Sequence, residues 1–475
     1  MHPTTPTSLA TDHAPRKPGP LINRNFALLW CGAAISYVGD FIFLTTLTLW
    51  IAVDIARGQA WAPLAISGLV IAASLPILLV GPLAGVFVDR WDKRRTMLAM
   101  DAARALIIAL LLPAANLVPL PFLPGQRLTP LEQVGMIYGV VFLASVCAQF
   151  FNPGRMALIN DLVPDASRAR ATGLMQTVMA LAVVIGPALA APLFFAAGVE
   201  WALLINAASF LVSFAALLAM HVPRAASHAA PEAPSSVRGE FWAGLRFFAG
   251  NRILMAQLVT GILFMLGAGA LNTLDIFFVT QNLHTAPSLY GNLEAAYGLG
   301  SVMGALLASV IATRLRVART FWVAALLLGA LLIAYSRLTS YLPALVVMFL
   351  VGVPNAALNA AAGPIVYHVT PRAFLGRVSA ILNPAFTLAA LLSAALAGYL
   401  DGVVLRDFHL SLAGAAFGPV DTIFAGAGVL AIVGALYARA SFGRLRLAGE
   451  PGAAPPPAAE DTSPAVPAPE LIAAP

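Results

Sequence analysis

Residues 63–95 read PLAISGLVIAASLPILLVGPLAGVFVDRWDKRR, uncharged as far as Val88 and then crowded with Asp89, Arg90, Asp92, Lys93, Arg94 and Arg95. The uncharged part is long enough to cross a bilayer, which takes about 20 apolar residues. The basic part is what holds a loop on one side of a membrane. The pattern recurs along the whole chain. Of its 475 residues 60% are hydrophobic and 10% charged, against roughly 25% charged in a soluble domain. Apolar burial saturates as soluble domains grow, so the solvent for this much apolar side chain is lipid.

Twelve spans follow, at 25–51, 63–88, 97–118, 131–152, 171–195, 201–220, 253–279, 290–312, 320–337, 341–366, 375–400 and 418–438. The segments between them alternate in charge. With the N-terminus in the cytoplasm, the 27 Lys and Arg fall on the cytoplasmic side except Arg57, Arg127, Arg337 and Arg406 outside and Arg104 low in the third span. That bias predicts a multi-pass protein of the bacterial inner membrane with both termini cytoplasmic. Residues 1–22 are polar and Pro-rich and read as a disordered cytoplasmic N-terminus with no sign of cleavage. The tail 441–475, Ala/Pro-rich, reads likewise.

The chain also repeats itself. Asn23-Arg24 precedes the first span as Asn251-Arg252 precedes the seventh, and at one constant offset Asn152, Pro164, Arg170 and Gln176 fall on Asn359, Pro371, Arg377 and Asn383. Two six-helix halves, 23–220 and 251–440, account for this, as in transporters built from parallel repeats with the substrate site between them. The linker 221–250 ends in Leu245 and Phe248 at helical spacing from Phe241, beside Trp242, an interfacial helix.

Composition excludes other classes. The net charge of +6 lies in short clusters between spans, with no basic face interleaved with stacking aromatics, so nucleic acid is not the partner. Cys31 and Cys147 lie inside apolar segments and the histidines are scattered, which offers no disulfide framework and no metal site. No Walker loop and no nucleophile–base constellation occurs, so neither ATP hydrolysis nor enzymatic catalysis is expected, and no cofactor.

In Gly85-Val-Phe-Val-Asp89-Arg90-Trp-Asp92-Lys93-Arg94 the chain resembles the major facilitator superfamily, whose signature joins the second and third helices. Gly85, Asp89, Arg90, Lys93 and Arg94 fit, and Asp92 departs from the usual Gly, although Asp tolerates left-handed backbone better than most residues. A remnant in the second half runs from Gly304 to Arg314-Leu-Arg316. The resemblance implies the major facilitator fold and a gate in which Asp89 meets the start of the eleventh helix near Gly376-Arg377; topological anchoring by the cations is the plainer role. Around Gly186-Pro187 the fifth span is similar to the superfamily's exporter signature, with Ala for several glycines; ordinary small-residue packing is the alternative. Asn23-Arg24-Asn25-Phe26, Gly39-Asp40, Phe151-Asn152-Pro153-Gly154-Arg155 and Asp161-Leu-Val-Pro164 resemble a bacterial efflux subgroup that includes the enterobactin exporter. The implied function is secondary export of small amphipathic molecules, drug-like or siderophore-like, by a monomer exchanging cargo for protons. Lysophospholipid or nutrient transport and a non-transporting receptor are the rivals.

Asp40 lies ten residues, about 15 Å, before Trp50 at the outer interface, hence near the midplane. An ionisable group there marks a function: it can take a proton from one face and release it to the other. A structural Asp bonded to neighbouring helices is the alternative. Asp275, near the outer end of the seventh span, is the second candidate for proton or substrate, and an interfacial or lumen-facing charge is its alternative. Glu294 is expected to be solvated, and Asp101 with Arg104, three apart on one helix face, to form a local pair at the cytoplasmic end. Gln149, Gln176, Asn272, Asn355, Asn359 and Asn383 are expected to turn inward and line a polar, weakly charged central cavity, with Tyr37, Phe41, Tyr297 and Phe386 as apolar walls.

Overall fold

The computed structural model describes residues 21–115, 128–221, 237–311, 316–371, 374–408, 410–412 and 415–442. The two expected disordered ends lie almost wholly outside these residues, as does the first part of the linker.

Apolar runs with few internal breakers form helices, because in lipid every backbone polar group must be satisfied within its own segment. The helices are α1 (Arg24–Leu49), α2 (Ala62–Leu79), α3 (Gly81–Arg90), α4 (Lys93–Ala109), α5 (Pro130–Leu162), α6 (Arg168–Ala197) and α7 (Val199–Ala219). Then come α8 (Val237–Gly250), α9 (Arg252–Phe277), α10 (Tyr290–Ile311), α11 (Val317–Ser336), α12 (Tyr341–Val369), α13 (Leu375–Tyr399) and α14 (Pro419–Phe442). A short hairpin, β1 (Leu410–Leu412) and β2 (Ala415–Phe417), precedes α14. Among the described residues ten helical segments are long and apolar enough to cross a membrane. The expected third and eighth spans correspond to α4 and α10, which are helical but outside that set; α4, at 17 residues, covers only about 25 Å. The expected second span is two helices, broken at Val80 ahead of Gly81-Pro82.

Packing follows the small residues. On α10, a methyl group added at Gly300 or Gly304 would strike the α12 backbone at Phe349 and Val353, and one at Gly352 would strike Tyr297 in return. Small residues spaced four apart let helix backbones approach this closely. Gly329 of α11 and Gly428 of α14 face each other in the same way. α1 packs on α6 and α7, α4 on α5 and α7, α2 on α5; α9 packs on α13 and α14, α11 on α12 and α14. Between these two sets the main contacts are α2 with α13 and α6 with α10.

Those contacts crowd at one end. Ser67 of α2 donates to the Ala394 carbonyl of α13 at 2.6 Å. Gly398 and Gly402 lie against the Pro63 and Ala60 carbonyls, and Gly291 and Gly298 of α10 against Pro187 and Val183 of α6. A hydrophobic core drawn from both sets, including Trp50, Ile66, Phe210, Phe277, Leu293 and Phe424, fills this end. At the end that carries Lys93, Arg168 and Arg377 the cores are separate, one around Phe26, Met97 and Phe151, the other around Phe248, Val366 and Val378. A Cβ built on Gly173 or Gly376 there meets nothing. The molecule is closed at the first end and parted at this basic end.

The internal repeat has a structural counterpart. Asn23 caps α1, accepting from the Phe26 N–H at 2.8 Å, and donates to the Leu162 carbonyl at 2.8 Å. Asn251 caps α9, accepting from the Ile253 and Leu254 N–H groups, and donates to the Val369 carbonyl at 3.5 Å. Leu162 and Val369 are related by the offset that relates Asn152 to Asn359. Each Asn therefore starts one helix and holds the end of another. Loss of a cap costs about 1 kcal/mol, so Asn23→Ala and Asn251→Ala are each expected to lower the thermal midpoint of the detergent-solubilised protein by a similar few degrees. A large effect at one position and none at the other would contradict the equivalence.

Candidate functional site

Among the described residues two clusters of charged and polar side chains lie inside the bundle, one in each set of helices. The first begins with the close approach of α1 and α7. A Cβ on Gly39 would strike Ser209 and Asn206, and one on Gly32 would press on Ser213. With glycine at both places, α7 presents Asn206, Ser209 and Ser213 to α1. Asp40, half-buried, lies beside Asn206 within electrostatic reach of Arg104, Arg155 and Asp101. Asp101 and Arg104 of α4 pair at 2.8 Å, with side chains 0% and 6% exposed. The guanidinium of Arg104 stacks between the rings of Phe151 and Phe210, at 4.5 and 4.3 Å. Arg155 of α5 lies over Tyr37 at 5.0 Å.

The expected cytoplasmic pair is therefore a buried one. Phe151 belongs to the core at the basic end and Phe210 to the core at the closed end, so Arg104 sits between the two. Two arginines face two aspartates here, and four buried polar atoms, Asp101 Oδ2, Arg104 Nε, Arg155 Nε and Asn206 Nδ2, have no hydrogen-bond partner. Arg155, grouped with the cytoplasmic cations from sequence, turns inward instead. The signals were present: Arg155 follows Phe151 by one turn, and Asn206, Ser209 and Ser213 make a polar stripe at helical spacing in an otherwise apolar helix.

The second cluster joins α9, α10 and α11. Asp275 is 1% exposed, and its Oδ1 accepts from the Tyr335 hydroxyl at 2.7 Å. Tyr335 is held by Phe278 and Phe424, at ring separations of 4.6 and 6.0 Å. Tyr290 donates to Glu294 Oε1 at 3.3 Å. Asp275 is thus buried rather than interfacial, and Glu294 is partly buried rather than solvated. Glu294 opens onto a cavity of about 80 Å³ whose walls include Asn272, Tyr297, Asn355, Phe264 and Met348. Asn359 donates to the Asn355 carbonyl at 3.0 Å from one turn away.

Of the six amides expected to share one cavity, the structure brings Asn272, Asn355 and the adjoining Asn359 together. Gln149 bonds back to the Ser145 carbonyl at 3.3 Å and lies by Gly81. Gln176 and Asn383 are exposed, on helices that part at the basic end. Of the apolar walls, Tyr37 stacks under Arg155, Phe41 meets Gly186, and Phe386 lies on Gly261.

In the loop segment, Asp92 is extended rather than left-handed and caps α4 by accepting from the Arg95 N–H at 2.7 Å. Lys93 pairs with Asp161 at the end of α5 at 2.7 Å. Arg94 donates to the Leu217 and Leu218 carbonyls closing α7, at 2.9 and 2.8 Å. The cations thus bind the ends of helices in their own set. Arg90 is exposed and Gly85 faces open space; the side chain of Asp89 lies outside the described residues. Arg377, the other side of the expected gate, stacks on Phe374 at 5.0 Å and packs on Gly244 of α8. At the exporter-like motif, Gly186 admits Phe41 of α1 and the Pro187 carbonyl abuts Gly291 of α10, so α6 is wedged between the two sets. Among the described residues no group of three or more His, Cys, Asp or Glu side chains could hold a metal ion.

Comparison with known proteins gives this arrangement relatives. The profile of a family described as transmembrane secretion effector matches residues 17–432. An uncharacterized MFS-type transporter, YkuC of Bacillus subtilis, is 23% identical over 378 residues, which are 76% of this chain and 82% of that one. Macrolide efflux protein A of Streptococcus pyogenes is 22% identical over 282 residues, 59% of this chain and 65% of the relative. Among solved structures, the nucleoside transporter NupG superposes with a TM-score of 0.61 at 13% identity, over 88% of this chain and 99% of NupG. That likeness concerns the fold.

Removing one partner of a buried ion pair strands the other charge and costs about 3–5 kcal/mol. Arg104→Ala is therefore expected to lower the melting temperature sharply, and Asp101→Leu with Arg104→Leu to recover much of the loss. Equal damage from the single and double changes would mean that the pair does not carry the effect.

Proposed function

The chain belongs to the transmembrane secretion effector family of major facilitator transporters, and from that premise we propose that it exports small amphipathic molecules by alternating access, driven by proton antiport. α4 and α10 complete the ten long helices to twelve spans, in two six-helix halves, residues 23–220 and 251–440. Residues 221–250 link the halves in the cytoplasm, and α8 braces the start of α13 through the Phe247–Phe374 stack. The basic end faces the cytoplasm of a bacterium, so both termini lie inside and the monomer stands open inward in the inner membrane.

One observation carries the reading: the halves touch at one end and part at the other. A two-lobed bundle with that asymmetry exposes its interior to one side at a time when the lobes rock. Cargo enters from the cytoplasmic cleft past Gln176 and Asn383 and settles against the amides Asn272, Asn355 and Asn359, with Gln149 on the first half. The segment Gly85, Asp89, Arg90, Lys93 and Arg94 anchors α4, α5 and α7 and gates the cleft when Asp89 meets the start of α13. Gly186 and Pro187 form the pivot of α6 between α1 and α10. Coupling draws on an intramembrane acid: Asp40 in the first half and Asp275 in the second are the two candidates, and of these Asp40 stands among arginines whereas Asp275 does not. The macrolide efflux relative and the apolar walls of the cavity both favour drug-like or siderophore-like cargo.

Inverted membrane vesicles made acidic inside are expected to accumulate at least one compound from a panel of macrolides, cationic dyes and siderophores, and to lose it when a protonophore is added. Accumulation that ignores the gradient across the panel would contradict antiport and turn attention to lipid or receptor roles.

A further inference from the structure

The two polar clusters differ in charge balance. In the first, Asp40 and Asp101 are answered by Arg104 and Arg155, and the Asp101–Arg104 pair is made at 2.8 Å. In the second, Glu294 lines a cavity with Leu271, Asn272 and Leu332, one turn from Asp275 and from its partner Tyr335, so the two acids lie close enough to act on one another. Among the described residues no Lys, Arg or His pairs with either acid. The nearest arginine in sequence to Tyr335, Arg337, is turned away: it pairs with Asp421 at 3.0 Å and stacks on Phe417 at 4.0 Å. The other titratable groups acting on the two acids are hydroxyls: Tyr335 from α11 on Asp275, and on Glu294 Tyr290 from the first turn of α10 and Tyr297, which lines the same cavity.

Two bare carboxylates cannot share such a place. Burying one unpaired charge costs several kcal/mol, and a second like charge adds repulsion. The pair must hold a positive charge of its own. Its geometry shows where that charge goes. Tyr335 occupies Asp275 Oδ1, while Oδ2 is buried and has no hydrogen-bond partner. Glu294 is the member that reaches the cavity. One acid is open to exchange and the other is sealed behind it.

We propose that Asp275 and Glu294 together form the binding site for the one exchangeable proton of this transporter, entered at Glu294 from the cavity, with Tyr335 and Tyr290 orienting the two carboxyls. The role in transport rests on the antiport reading above; the site itself does not. Asp40, among arginines, then has a structural task in joining α1 to α7. A proton on the pair leaves one negative charge on these two carboxyls, and its departure leaves two. The second state is tolerable only if water or a cationic group of the cargo reaches Glu294, so release of the proton and occupancy of the cavity are linked through one carboxyl.

The test is infrared spectroscopy of the purified full chain in lipid, reading the C=O band of protonated carboxyl groups as pH is raised through neutrality in potassium buffer. Wild type and Asp40→Asn are expected to show the same titrating band. The band is expected to disappear in the variant carrying Asp275→Asn and Glu294→Gln, both near-isosteric, with melting temperature reporting that it folds. Tyr335→Phe keeps both acids and is expected to move the band by removing a donor to Asp275. Persistence of the band in the double variant, its loss in Asp40→Asn alone, or no movement in Tyr335→Phe would overturn the proposal. Displacement of the band by sodium at fixed pH would make this a sodium site and would overturn it too. Vesicle uptake separates the two readings. If no compound is taken up but the band behaves as described, export fails and the proton site stands. If the double variant still concentrates cargo at the wild-type rate on a proton gradient, export stands and this site fails.

Discussion

Hydrocarbon offers a charge no water, and the interior of this protein is arranged around that constraint. An ion well inside the bilayer must find a counter-ion, a hydrogen-bond network or a proton. The first set of helices answers with arginines: Arg104 holds Asp101 and is clamped between Phe151 and Phe210, and Arg155 stands over Tyr37 near Asp40. In the cluster of the second set Asp275 and Glu294 meet phenol hydroxyls, and among the described residues no arginine pairs with either acid. At the basic end the helix starts are satisfied separately: Asn23, Asp92 and Asn251 accept from first-turn N–H groups that have no partner within the helix.

Closure at one end is a matter of small residues. Gly291, Gly298, Gly398 and Gly402 let backbones from the two sets approach until a methyl group would collide. Pro187 cannot donate to the Val183 carbonyl one turn back, and that carbonyl lies against Gly298 on α10. Apolar side chains of both sets pack between these lines, whereas the ion pairs Lys93–Asp161, Asp101–Arg104 and Arg337–Asp421 each lie within one set, and Ser67 to the Ala394 carbonyl is a hydrogen bond across them. Such a seam can part without breaking ion pairs. The basic end is built otherwise, since Lys93 and Arg94 tie helices within one set and leave the other free to move.

Hydropathy, the placement of Lys and Arg and the repeat are properties of the chain taken in order, which is why membrane-spanning helices and family could be read from it. Asn23 and Asn251 were noticed as a recurring pair before their shared capping role was visible. What escaped was pairing between helices. Arg155 and Arg337 look alike in sequence, each beside an apolar run, yet one stacks inside the bundle and the other pairs with Asp421 at its rim. Glu294 lies near a helix start, which in sequence marks a solvated residue, and the approach of α9, α11 and α12 encloses it. Asp92 was read through the glycine it replaces, whereas its carboxylate has the separate task of starting α4. The six amides show the same limit: facing inward is a periodic property, but sharing a cavity depends on which helices meet.

If the closed end is a seam and not a permanent joint, it must open while the basic end shuts. Spin labels at Gln59 and Arg406, both exposed at the closed end, and at Thr172 and Arg316, both exposed at the basic end, read the two gaps by pulsed electron resonance in a protein lacking Cys31 and Cys147. The account predicts two reciprocal populations whose balance moves with pH or an added macrolide, the first distance growing as the second shrinks. A first distance that stays short under every condition, while the second varies or not, would contradict it.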